Sequence, residues 1–213
     1  MNTDTLQGAL RMLFLLHKAG SPIATIAGSY PDSAVSVIES EKKLQAMHFW
    51  MRNPDYLAYE ILEGTGRKAL GPDWLNQVES LLDDDEPALR RYPMLRYLFG
   101  AYEPIDDSFS ILAAAGLAVC VRVGAPGNVR QSKFFLLELG REQAERITVE
   151  YPELRWYPDR AGLVAQICAG RTGNELKDCQ YKLSEYAQTG LGDQIQPITE
   201  LVQERLTHAR SGI

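Results

Sequence analysis

The chain is 213 residues long, 45% hydrophobic and formally −6 at pH 7, which suffices for one large domain or two small ones without covalent staples. Its three cysteines, Cys120, Cys168 and Cys179, lie far apart with no CxxC pair, excluding a disulfide framework or zinc ribbon and pointing to a reducing cytoplasm. The acidic sum argues against a uniformly basic binder of polyanions and shifts attention to local clusters of Lys and Arg.

The first residues, MNTDTLQG, carry Asp4 and no basic segment, and the apolar runs 12–16 and 109–123 fall short of the ~18 residues of a membrane span. A soluble chain with no membrane partner is expected. Residues 5–19 place Leu6, Leu10, Leu13, Phe14 and Leu16 near one helical stripe, and Gly20 with Ser21-Pro22 stops that helix. The spacing predicts a short helix over 23–27 and a longer one over 33–51, with Val37, Ile38, Leu44, Met47, His48 and Met51 inward and Glu39, Glu41, Lys42 and Lys43 wet. Asn53-Pro54-Asp55 opens another helix through about residue 62. The loop Gly64-Thr65-Gly66-Arg67-Lys68 marks a boundary, 74–82 is helical again, and 87–100 adds one or two helical segments beyond an acidic run at 83–86.

Residues 111–147 read ILAAAGLAVCVRVGAPGNVRQSKFFLLELGREQAERI. A helix over 105–115 ends in Leu112-Ala113-Ala114-Ala115-Gly116-Leu117, where Gly supplies a left-handed turn and the next apolar residue starts a strand. Residues 118–123 alternate, with Val119, Val121 and Val123 on one side and Cys120 and Arg122 on the other. Residues 124–131 contain Pro126, Gly127 and Asn128 and read as a turn, a return strand runs over 133–139 to Gly140, and a helix follows from there to about 150. Beyond Tyr151-Pro152, helices are expected over 160–169, 175–188 and 197–208. The whole reads as mostly α with one small antiparallel β-hairpin.

This order resembles the winged helix-turn-helix superfamily, especially bacterial transcriptional regulators of the MarR and PadR kind. The resemblance covers residues 105–147. It implies a winged-helix domain at 71–150, a helical region at 1–70 that echoes a helix-turn-helix, and a C-terminal helical region at 151–213 that dimerises. It also implies Arg130 as the wing-tip Arg at the minor groove and Asp107, Ser108 and Ser110 on the helix facing the major groove. Base and phosphate contacts to double-stranded DNA would then come from Ser108, Ser110, Arg122, Asn128, Arg130, Gln131 and Lys133. Two departures favour an alternative. Leu137-Glu138 stands where the family has Leu-Thr, and the proposed recognition helix carries Asp106 and Asp107 with no Lys or Arg. A winged-helix protein-interaction module without DNA binding is therefore the second reading.

Catalysis finds little support in the sequence. His17, His48 and His208 have no metal-ligand spacing. The acidic run at 83–86 lacks the alternation of a calcium loop. Both Gly64–Lys68 and Gly170-Arg171-Thr172-Gly173 look like phosphate cradles but lack the GxxxxGK[ST] spacing and read as turns. No enzyme, metal or cofactor is expected. Trp156 and Tyr157 read as core, and the stripe Leu176, Leu183, Tyr186, Ile198, Leu201, Val202 and Leu206 fits a dimer interface or intramolecular packing equally well.

Overall fold

In a computed structural model, which describes residues 3–26, 28–64, 70–83, 96–97, 100–101, 105–125 and 128–211, the first expected helix forms as α1 (Thr3–Ala19). Its Ala9, Met12, Leu13, Phe14, Leu15 and Leu16 are each at most 2% exposed, so it is covered on several sides rather than along one stripe.

The next segment departs most from the sequence reading. Residues 33–51 do not form one helix. Ala34–Ile38 is a strand, β2, paired antiparallel with the two-residue β1 (Ser21–Pro22), and helix α2 spans Glu41–Arg52. Of the short helix expected over 23–27, a single 3-10 turn forms at Ile23–Thr25. Two local causes separate strand from helix. Val35, Val37 and Ile38 are β-branched and suit a pleated, half-covered surface. Ser40 is extended, and its hydroxyl accepts the Lys43 N–H at 3.3 Å, an N-cap that starts α2 afresh.

Helices α3 (Pro54–Leu62) and α4 (Trp74–Asp83) fall where expected. Within 87–100, where helix was expected, the described residues form a β-pair instead, β3 (Arg96–Tyr97) with β4 (Gly100–Ala101). The expected loop at 65–68 lies outside the described residues, as do 84–95.

The hairpin forms, but strand covers 118–125 and 128–137, so the turn is shorter than the 124–131 that the sequence suggests and the return strand starts and ends earlier. Helix α5 (Ile105–Ala114) ends with the Leu117 N–H on the Leu112 carbonyl (2.8 Å) and Gly116 at φ 68°, the left-handed closure that glycine permits. Strands β5 (Ala118–Ala125) and β6 (Asn128–Leu137) pair antiparallel, and β2 lies on the other side of β6, giving the order β1-β2-β6-β5. The hairpin is thus half of a four-stranded antiparallel sheet on a mostly helical protein. One face of it, through Ala118, Phe134 and Leu136, packs into the core, with Phe134 edge-on to Phe109 of α5 at 5.2 Å. Helix α6 (Glu138–Glu150) begins before Gly140 rather than after it.

Four helices complete the chain: α7 (Trp156–Ile167), α8 (Gly173–Gln180), α9 (Ser184–Gln188) and α10 (Thr199–Ser211). The helix expected over 175–188 is thus two, broken at 181–183, and α7 starts earlier than Pro158 suggests. Tyr157 is buried and stacks with Phe14. Leu176, Leu183, Tyr186, Ile198, Val202 and Leu206 are buried within the chain, so this stripe is intramolecular core. The buried cluster draws on all three regions, from Ala9 through Ala118 to Leu206. Among the described residues no helix is long and apolar enough to cross a membrane.

The C-terminal segment is tied down by α3. Asp55, itself buried, accepts the Ile198 N–H at 2.7 Å and the Tyr56 N–H at 3.0 Å, and the Tyr56 hydroxyl donates to the Gln196 carbonyl at 2.8 Å. Asp55→Ala leaves a buried N–H without its carboxylate and should lower stability by about 2 kcal/mol. The melting temperature should fall by roughly 5 °C at this chain length, with Asp55→Asn recovering part of the loss. Thermal denaturation of the three proteins checks this, and an unchanged Asp55→Ala would disprove the tie.

Candidate functional site

The residues expected to meet DNA lie on α5, β5 and β6 and are not equally available. Ser108 is 5% exposed, with its hydroxyl where a side chain at Gly8 of α1 would stand, so it faces the core rather than a groove. Ser110 is exposed but donates back to the Asp107 carbonyl at 2.6 Å. The outward face of α5 consists of Asp106, Asp107, Ser110, Ala113 and Ala114, two carboxylates and small side chains with no cation.

On the hairpin, Arg122 is exposed with its guanidinium 3.7 Å from the Asp106 carboxylate. Lys133 makes an ion pair with Glu39 at 2.6 Å, and the Gln131 amide donates to the Glu39 carbonyl at 2.6 Å. Asn128 and Arg130 are exposed near the tip. The hairpin is basic in composition, but two of its polar groups are turned onto the corner after β2.

Strand β5 has β6 on one side only, and among the described residues no strand covers its other edge. Val121 and Val123 on this strand are 36% and 44% exposed. A long edge strand with open backbone groups and exposed β-branched side chains is a template for another extended chain. Asp106 flanks it from α5, its carboxylate 3.7 Å from Arg122, and Asp107 is exposed on the same helix.

A concavity lies beside β6. Residues 38–46 at the corner into α2, 130–132 on β6, and 171–180 at the start of α8 surround an open cleft of about 850 Å³. Lys42, Lys43, Arg130, Arg171 and Lys177 line it, together with Glu39 and Glu41. The Lys42 ammonium donates to the Asn174 side-chain carbonyl at 3.1 Å, and the Ser132 hydroxyl donates to the Glu41 carboxylate at 3.3 Å. At the base, Arg171 is held by Glu60 at 3.0 Å, donates to the Cys179 sulfur, and lies 5.9 Å from the centre of the Trp50 ring.

The start of α8 is a capping box. The Thr172 hydroxyl accepts the Glu175 N–H, and the Glu175 carboxylate accepts the Thr172 N–H at 2.7 Å. That bond to the backbone holds the Glu175 carboxyl below its usual range. Gly173 sits where a Cβ would be 2.8 Å from both the Lys43 nitrogen and the Ser40 hydroxyl. Only a glycine lets the two helix starts meet this closely.

The remaining reactive side chains are subdued by their surroundings. Burial pushes the Cys168 thiol up to about 12 and raises Cys179 as well. Burial, with Arg11 and Arg52 as neighbours, holds His48 well below the ordinary imidazole value. Among the described residues no group of three or more His, Cys, Asp or Glu is placed to hold a metal ion.

Nothing along the chain marks the cleft as a unit: Lys42 and Lys43 read as a wet helix face and Gly170–Gly173 as a turn. No family model, curated protein or solved structure matches the chain.

Proposed function

We propose that the protein is a winged-helix-type interaction module that docks an extended segment of a partner protein along the edge of β5, rather than a reader of DNA grooves. The helix that ends at Gly116, the hairpin after it and the helix beyond it support the winged-helix part of this reading. The observation that carries the choice of partner is the outer face of α5. Direct readout and phosphate contacts use basic and amide side chains, whereas this face presents Asp106 and Asp107, and Arg122 beside it is paired to Asp106. An acidic flank next to an open strand edge with exposed valines selects a segment with alternating apolar residues and neighbouring Lys or Arg, held by backbone hydrogen bonds.

Two measurements decide between partners. Fluorescence anisotropy with mixed-sequence duplex DNA at low salt should give no saturable binding. A steeply salt-dependent affinity, weakened by Arg130→Ala with the salt slope reduced by about one unit, would overturn the proposal in favour of a DNA-binding regulator. Selection from a random peptide library on the intact protein should enrich basic, alternating sequences, and both Val123→Lys and Asp107→Lys should abolish their binding. Enriched peptides indifferent to both substitutions would sink strand docking. So would a homodimer in sedimentation that Val123→Lys disperses, since a second copy would then own the edge.

A further inference from the structure

The cleft beside β6 carries an inference that does not depend on strand docking. We propose that it binds a small phosphate ester, with the phosphate held in the cleft by Lys42, Lys43, Arg130 and Lys177.

Charge matching supports this. Glu39 is already paired with Lys133, and Arg171 with Glu60. That leaves Lys42, Lys43, Arg130 and Lys177 against Glu41 among the charged lining residues, on a chain whose formal charge is −6. A cation excess concentrated in a concavity of an acidic protein focuses positive potential on whatever enters it.

The backbone shapes the same place. Ser40, Thr172 and Gly173 line the cleft, so two helix starts meet there, each already capped and each with a carboxylate, Glu41 or Glu175, in its first turn. Gly173 makes the meeting possible, since a Cβ there would strike the Lys43 backbone nitrogen at 2.8 Å. Arg171 is held at the base by Glu60 and Cys179.

Four cations against the one carboxylate of Glu41 leave an excess of three, which suits the double charge of a phosphate monoester. The shape selects a small molecule. A concavity of about 850 Å³ lies within the range of small-ligand sites, whereas the backbone of a duplex is convex.

The test titrates the full chain with inorganic phosphate and with adenosine monophosphate, at matched ionic strength, by amide NMR. Saturable binding in the millimolar range or tighter is expected, with shifts centred on Lys43 and Gly173 and the nucleotide bound at least as tightly as phosphate. Asn174→Asp keeps the acceptor for Lys42 and places a carboxylate in the first turn of α8, where the helix tolerates it well. The fold should therefore survive while phosphate affinity falls at least about tenfold. Lys43→Gln should weaken binding in the same direction. Arg146→Gln, which breaks only the exposed pair with Glu150 on α6, should leave it unchanged. No saturable binding of either probe would overturn the proposal, as would equal affinity in folded Asn174→Asp or binding of duplex DNA without binding of the nucleotide.

Discussion

Glu60→Ala should lower stability by about 3–5 kcal/mol, because removing one partner of a buried ion pair leaves an uncompensated charge in a medium that solvates it poorly. The Arg171 and Glu60 side chains are 15% and 9% exposed and 3.0 Å apart. Total stability of a domain is commonly about 5–15 kcal/mol, so this one change should remove a large part of it and lower the melting temperature by roughly 10 °C. The control is the double substitution Glu60→Leu with Arg171→Leu. Replacing both members by apolar groups removes the desolvation penalty together with the attraction and should recover most of the loss. Equal destabilisation of the single and double variants would show that packing, not charge, accounts for the site. A second readout separates the two causes further. Burial raises the Cys179 thiol, Glu60 raises it again and Arg171 opposes both. In Glu60→Ala the opposition is unbalanced, so alkylation of Cys179 should set in at lower pH than in the parent protein.

The contrast between β2 and the hairpin shows what the sequence carried by itself. Gly116 was legible because a left-handed turn is a local requirement that one residue type meets. The 33–51 segment was not, because Val37, Leu44 and Met51 can be placed on a helical stripe and the charges at 39–43 look like its wet face. What settles the matter is partly non-local. Val37 and Ile38 pair with Phe135 and Phe134 of β6, a neighbour that no window along the chain reveals. Two local signals pointed the right way, the β-branched run and Ser40 three residues before Lys43, and periodicity outweighed them. The setting of the side chains expected at DNA is non-local for a related reason. Composition shows how many cations a hairpin carries, but Lys133 and Gln131 are turned onto Glu39 by the register between β6 and β2. The cleft is the converse case. Lys42, Lys43 and the Gly170–Gly173 turn were each visible, and each alone reads as solvated surface; only the contact of α8 with α2 makes them one site.

Gly140→Ala should destabilise the protein by about 2–3 kcal/mol, although the same exchange within an unobstructed helix adds up to about 1 kcal/mol of helix propensity. The sequence suggests that Gly140 ends a strand. In the structure it lies inside α6, where a Cβ would stand 2.1 Å from the Leu117 carbonyl oxygen and 2.7 Å from Leu136 Cδ1. That carbonyl is not free to yield, since it accepts the Leu137 N–H at 3.0 Å, and the start of α6 is fixed by the Glu138 N–H on the Ser33 carbonyl at 2.8 Å. Accommodating one methyl group therefore means lifting the helix from the β5–β6 hairpin. Gly162 supplies the internal comparison. It lies within α7, and a Cβ there would meet nothing within 4 Å, so Gly162→Ala should stabilise by roughly 0.5–1 kcal/mol. Urea unfolding of both variants tests the argument by sign. If the two substitutions move the midpoint in the same direction, the close approach of α6 to Leu117 does not exist in solution, and the seating of the hairpin on the helices must be redrawn.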